Sequence, residues 1–144
     1  LWAKSKRRHH KYGGGLSQFA KSNKKCFARL PENINYYYTA ALPLAGLTAL
    51  QALRDKGNLQ KGEKILINGA AGGVGHFATQ IALIAGAEVT VVSSMRHKSF
   101  LDTIGYSTFI DYQKTDILLS GHSYDVIFDT IGNYSFLQCN STRC

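Results

Sequence analysis

Two spacings of apolar residues alternate along this chain. Ile65, Leu66 and Ile67 form an unbroken run, the pattern of a strand buried on both faces. Phe77, Ile81 and Ile84 then recur at helical spacing. Residues 88–94, after Gly86 and Ala87, read as a second strand, and residues 95–104 as the next helix, ended by Gly105. Residues 108–112 and 124–130 read as a third and a fourth strand, with a short helix over 115–119 between them. Upstream, Leu44, Leu47, Leu50 and Leu53 recur at every third position and, with Thr48, Ala49 and Ala52, predict a helix to about Asp55. Gly57 is expected to end it in the left-handed conformation. A shorter helix over 34–42 is expected to break near Pro43, with Asn33 as its cap. Residues 14–20 and 25–31 alternate apolar and polar positions, as two short strands would; residues 1–13 read as unstructured.

Alternating strands and helices require a parallel sheet with helices on its faces. Right-handed crossovers put the four strands in the order 3-2-1-4. The fold class is therefore α/β, a partial doubly wound parallel sheet. A full sheet of this kind continues with two more strands. Here the pattern stops after the fourth, and an apolar edge open to self-association is the expectation.

Between the first strand and its helix lies Ala70-x-Gly72-x-x-Gly75, a variant of G-x-G-x-x-G with Ala in the first slot. Gly72 lets the backbone approach a pyrophosphate closely, and Gly75 lets the helix pack tightly on the strand. Gly73 and Val74 complete a turn whose N–H groups and helix dipole favour phosphate. Glycines punctuate many loops, so the motif gains its weight from the strand before it and the helix after it. The competing reading is the same fold with a glycine turn and no nucleotide.

The second strand bears on which dinucleotide fits. A chain that binds NAD usually places Asp or Glu about twenty residues beyond the glycines, on the ribose hydroxyls. Residues 92–98 hold no carboxylate, and the next is Asp102. Ser93 and Ser94 can hydrogen-bond a 2′-phosphate, Arg96 can pair with it bidentately, and Lys98 can act as a point charge. The pattern favours NADPH; the alternative is a solvated, basic start of a helix.

Charge changes this picture little. Residues 1–30 hold nine cations and no acid, and the remainder holds eight cations against nine acids, so the net charge of +8 comes from the N-terminal stretch. Lys6-Arg-Arg-His-His-Lys11 can bind phosphate backbones or anionic lipid. No nucleic-acid motif accompanies the arm, and a solvated terminus is the favoured reading, so neither nucleic acid nor membrane is an expected partner. Cys26, Cys139 and Cys144 form neither a disulfide framework nor a zinc-ligand cluster. A reducing, cytoplasmic setting is the expectation. No run is apolar enough to span a membrane.

Four stretches in order carry a resemblance: Leu42-Pro-Leu-Ala-Gly-Leu-Thr-Ala-Leu-Gln-Ala-Leu53, then Gly62-Glu-Lys-Ile-Leu-Ile-Asn-Gly-Ala-Ala-Gly-Gly-Val-Gly75, then Ile110-Asp-Tyr112, then Tyr124-Asp-Val-Ile-Phe-Asp-Thr-Ile-Gly132. Together they resemble the medium-chain dehydrogenase/reductase superfamily, and within it the zinc-independent, zeta-crystallin-like quinone oxidoreductases. The resemblance covers residues 14–133. It implies a GroES-like catalytic domain joined to a dinucleotide-binding (Rossmann) domain, and hydride transfer from NADPH to quinones or activated enones without zinc. For this chain it implies a basic arm over 1–13, a remnant of the GroES-like β domain over 14–31, the dinucleotide-binding domain over 32–133 and a tail over 134–144. The chain then reads as a fragment or a disrupted reading frame, expected to bind cofactor without turning over substrate. No catalytic residue is nominated, because the substrate-side groups belong to the GroES-like domain.

The resemblance also places Thr48 near the nicotinamide end of the cofactor and Tyr112 beside its adenosine portion. Thr48 reads equally as a helix threonine bonding its own turn, and Tyr112 as a cap on the sheet end. Asp129, Thr130 and Ile131 end the fourth strand, where ligands sit in open parallel sheets; Asp129 also fits a helix cap. Two other functions compete with the reductase: a non-enzymatic dinucleotide-binding module, and a binder of anionic surfaces or nucleic acid through the arm. The substrate class is a quinone or enone, and a homodimer stays open.

Overall fold

The computed structural model describes residues 2, 3, 23, 25, 27–117, 121–135, 137 and 138. Contacts divide the chain into two compact units, Leu1–Leu44 and Ala45–Cys144. In the first unit β1 (Trp2–Ala3) pairs antiparallel with β2 (Phe27–Ala28), Trp2 opposite Ala28. Strand β1 thus falls in the segment expected to be unstructured, β2 falls in the expected stretch 25–31, and the strand expected over 14–20 lies outside the described residues.

Helix α1 (Tyr36–Leu50) is capped by Asn35, whose Oδ1 accepts the Tyr37 N–H at 2.9 Å. The cap is therefore two residues beyond the expected Asn33. The Ile34 N–H donates to the Pro31 carbonyl at 3.3 Å, and this turn keeps Asn33 outside the helix. Pro43 does not break α1, which runs through it for 15 residues. Proline removes one N–H donor, and the bonds on either side still hold the helix.

Residues Gln51–Lys56 continue from α1 as a π-helical turn, in which the Gly57 N–H reaches five residues back to the Ala52 carbonyl at 2.7 Å. The expectation for Gly57 is corrected here. Its φ is −79°, and the left-handed residue is Asn58 at φ 46°. The wider turn displaces the reversal by one residue, to a side chain that tolerates that conformation.

The second unit is built on a parallel sheet of β3 (Lys64–Asn68), β4 (Glu88–Ser93), β5 (Thr108–Asp111) and β6 (Val126–Asp129). Its order, β5-β4-β3-β6, is the expected 3-2-1-4 counted from β3. Helix α2 (Gly75–Ile84) joins β3 to β4; a 3₁₀ turn (Met95–His97) and α3 (Lys98–Ile104) join β4 to β5. Each sheet face carries a packed cluster. Ile65, Ile67, Val89 and Val91 pack with Ala49, Leu53, Ala78, Ala82 and Leu101, while Leu66, Val92 and Ile110 pack with Ile117 and Tyr124. Each fully buried Ile, Leu or Val contributes roughly 1.5–3 kcal/mol through its lost apolar exposure.

Helix α2 turns a different stripe inward from the one its large residues suggest. Gly75, Ala78, Thr79 and Ala82 are buried, Phe77 and Ile81 are half-buried, and Ile84 is 87% exposed. Small residues let the helix axis approach the sheet, and that closeness leaves no room for the larger side chains underneath. The helix expected over 115–119 is absent at 115 and 116. The N–H groups of Lys114 and Thr115 fold back onto the Asp111 carbonyl, both at 3.0 Å, and close a turn instead. Ile117 has 3₁₀ conformation, and residues 118–120 lie outside the described residues. Among the described residues no helix is long and apolar enough to cross a membrane.

Candidate functional site

Because all four strands run parallel, their carboxyl ends form one edge, a row of Asp111, Ser93, Asn68 and Asp129. In open parallel sheets ligands bind just beyond this edge. The glycine turn rises from its centre. Gly69 and Ala70 donate to the Val92 carbonyl at 3.2 and 3.1 Å, which ties the turn to β4. Gly72 N–H then closes onto the Gly69 carbonyl at 2.9 Å. The Gly72 carbonyl is itself occupied, accepting from the His76 N–H at 3.1 Å and facing His76 Nδ1 at 2.9 Å. Thr79 Oγ1 donates to the Gly75 carbonyl at 3.0 Å. The N–H groups of Gly73, Val74 and Gly75 donate to no acceptor among the described residues. A helix start of this kind presents donors and the positive end of its dipole to an anion.

The glycines differ in what forbids a side chain. A Cβ on Gly75 would lie 2.1 Å from the Gly69 carbonyl oxygen and 2.7 Å from Ala70 Cα. One on Gly72 would lie 3.1 Å from the same oxygen. One on Gly73 would meet nothing within 4 Å among the described residues, although Gly73 sits between the other two.

Ser93 and Ser94 are buried at the end of β4, next to the turn. The Ser93 carbonyl accepts the Tyr112 N–H at 3.4 Å, and that of Ser94 accepts the His97 N–H at 3.0 Å. Tyr112 itself is exposed at the end of β5. Arg96 is exposed, and its Nε donates to His97 Nε2 at 2.9 Å. Lys98 turns elsewhere. Its Nζ donates to both oxygens of Asp102, at 2.8 and 3.0 Å, and to the Tyr106 hydroxyl at 3.0 Å, above the rings of Tyr106 and Phe109. Tyr106 in turn donates to Asp102. Hydrogen bonds from Asp102 and Tyr106 push the Lys98 ammonium up to about 12, and the same contacts from Lys98 and Tyr106 hold the Asp102 carboxyl below the usual carboxylate range.

Thr130, at the exit of β6, donates through Oγ1 to the Asn68 carbonyl at 2.7 Å. Thr48 stands exposed on α1, one residue before the buried Ala49. The structure thus gathers Gly72, Gly73, Val74, Gly75, Ser93, Ser94, Tyr112 and Thr130 at the carboxyl edge, with Arg96 just beyond it and Lys98 committed to its own helix. Two residues at the edge escape a reading of the motif. Asn68 interrupts an apolar strand at its last position and is 5% exposed; Gly69 has φ +80°. A polar residue closing a buried strand is the signal that marks Asn68. Among the described residues no three His, Cys, Asp or Glu side chains are grouped to hold a metal ion.

Comparison with known proteins supplies the family. The family described as zinc-binding dehydrogenase matches residues 73–142. A chloroplast envelope quinone oxidoreductase homolog of Arabidopsis thaliana is 38% identical over 127 residues, covering 82% of this chain and 39% of that protein. The structure of the quinone oxidoreductase from Coxiella burnetii superposes with a TM-score of 0.67 at 39% identity, over 71% of this chain and 32% of that one. The CurK enoyl reductase superposes with a TM-score of 0.73 at 28% identity, over 85% of this chain and 39% of that one. The chain spans about two fifths of the length of these relatives or less. With its 3-2-1-4 parallel sheet and the glycine turn after β3, the chain belongs to the medium-chain dehydrogenase/reductase superfamily, among relatives that are quinone oxidoreductases and enoyl reductases.

Proposed function

We propose that residues 45–144 bind NADPH at the carboxyl edge of the sheet, as the cofactor-holding part of a reductase for quinones or activated enones. One observation carries the reading: Gly73 keeps a side chain out of open space that no packing claims, between two N–H-bearing residues at a helix start. A phosphate group that needs the backbone close leaves it bare. The residues fit the group. Gly73, Val74 and Gly75 offer their N–H groups to the pyrophosphate, and the end of α2 adds its dipole. Ser93, Ser94 and Arg96 lie where a 2′-phosphate is expected, with no carboxylate among residues 92–98 to repel it. Bound NADPH supplies a hydride donor at its nicotinamide ring. The chain's own residues hold and orient it, and the similarity to quinone oxidoreductases and enoyl reductases supports the acceptor class.

Calorimetric titration of the 144-residue chain with NADPH and with NADH tests the binding. Saturable binding of NADPH, with NADH weaker, is expected. No binding at millimolar NADPH would refute it. Hydride transfer is read as oxidation of NADPH by a simple quinone, and binding without oxidation would restrict the reading to a cofactor-binding unit.

A further inference from the structure

Asp129 ends β6 half-buried, and its Oδ1 accepts three N–H groups: Asn68 Nδ2 at 2.9 Å, Ile131 at 2.9 Å and Gly132 at 3.0 Å. Its other oxygen is buried with no partner among the described residues, so the whole anchoring falls on Oδ1. Asn68 Nδ2 also donates to Asn133 Oδ1 at 2.9 Å. The Asn68 carbonyl accepts from Thr130 twice, from N–H at 3.2 Å and from Oγ1 at 2.7 Å. The next residue, Gly69, opens the glycine turn at φ +80°. A Cβ there would lie 2.4 Å from Thr130 Oγ1 and 2.8 Å from Ile131 Cδ1. The backbone that starts the turn therefore rests directly on the residues that Asp129 holds.

We propose that Asp129 is a positioning residue for the glycine turn. By fixing Asn68 and residues 130–132 it sets the path of Gly69, and so the direction in which Gly73, Val74 and Gly75 point their N–H groups. It acts through Asn68 and Gly69 and does not itself grip the ligand. The proposal rests on the reading of the turn as a pyrophosphate site.

The 144-residue chain is compared with Asp129→Ala, Asp129→Asn and Asp125→Ala. Asp125 serves as the control because its Oδ2 accepts the Lys64 N–H at 2.8 Å, at the other end of the same strand pair. Three quantities are read: NADPH affinity, melting temperature, and amide hydrogen exchange at Gly69, Ala70 and Gly72 without nucleotide. Asp129→Ala should weaken NADPH at least about tenfold, because turn amides no longer held in place must be ordered when the phosphate binds. It should also speed exchange at those three amides beyond any change in the rest of the sheet. Asp129→Asn keeps an acceptor oxygen and should recover most of both. Asp125→Ala should leave the turn's exchange and the affinity unchanged. Should Asp129→Ala fail to fold, Thr130→Val removes the 2.7 Å bond and must speed exchange at Gly69. Unchanged exchange at the turn in the Asp129 variants, or an equal change in Asp125→Ala, overturns the proposal. If the parent chain binds no NADPH, the pyrophosphate reading fails, and the exchange comparison still decides what Asp129 does.

Discussion

Two glycines of one turn are demanded by the fold for different reasons, and a third is demanded by neither. Gly75 is demanded by packing, since a Cβ would stand 2.1 Å from a backbone oxygen. Gly75→Ala should therefore cost about 1–3 kcal/mol of stability, as overpacking does, and lower the melting temperature. Gly69 is demanded by its φ of +80° and by Thr130. Gly73 is demanded by neither. Arg96 and Lys98 separate in the same way. Lys98 is tied to Asp102 and Tyr106, whereas Arg96 is exposed and, among the described residues, reaches only its neighbour His97. Arg96→Ala should narrow the preference for NADPH over NADH by about tenfold, the effect of one charge-assisted bond, and Lys98→Ala should change it far less. Parallel titrations of the two variants with both cofactors check this; an equal loss in both would show that Lys98 leaves Asp102 for the ligand. Gly72 and Gly75 are legible in the sequence because their spacing is local. The Asn68–Asp129 bond joins residues 61 positions apart, and no local pattern records it.

Elements were legible where periodicity alone sets them, and less so where closeness does. The strands follow from runs such as Ile65-Leu66-Ile67, whose burial on both faces is their only requirement. Helix α2 is legible as a helix, but its inward stripe is Gly75, Ala78, Thr79 and Ala82, because approach to the sheet outweighs side-chain size. Pro43 and the π-helical turn after α1 mislead for a related reason: a helix absorbs one lost bond or one wider turn without ending. On α3 the pair Lys98–Asp102 gives a pH signature. Asp102 is held below its ordinary value of 3.8, so its contribution is present above that value and fades as pH falls through the lower folded one. Lys98 is raised from 10.5 to about 12, so its contribution is complete below 10.5 and is lost as pH climbs through about 12. The melting difference between parent and Lys98→Ala should thus be flat across neutral pH and shrink only at both extremes. Both groups are exposed, so the difference should be small and should fall further in high salt. A difference that changes between about pH 5 and 9 would assign it to another group.

At the scale of the whole molecule, the alternation of strands and helices was enough to order the sheet, because right-handed crossovers leave few ways to connect it. The order β5-β4-β3-β6 then brings residues from distant parts of the chain to one edge, and the candidate site is a product of that topology. Its glycine turn is readable from sequence; its support from β6 is a property of the folded sheet. On the proposed function, this edge holds the pyrophosphate of NADPH on the bare backbone at Gly73. The most direct measurement is calorimetric titration of NADPH into the parent chain and into Gly73→Val, with the melting temperature of each recorded alongside. A Cβ at Gly73 would meet nothing within 4 Å among the described residues, so stability should change by no more than about 0.5 kcal/mol, as at an ordinary surface position. Binding should fall at least about tenfold, since the valine would occupy the space left for the phosphate. Equal affinity in the two proteins, at equal stability, would contradict the account.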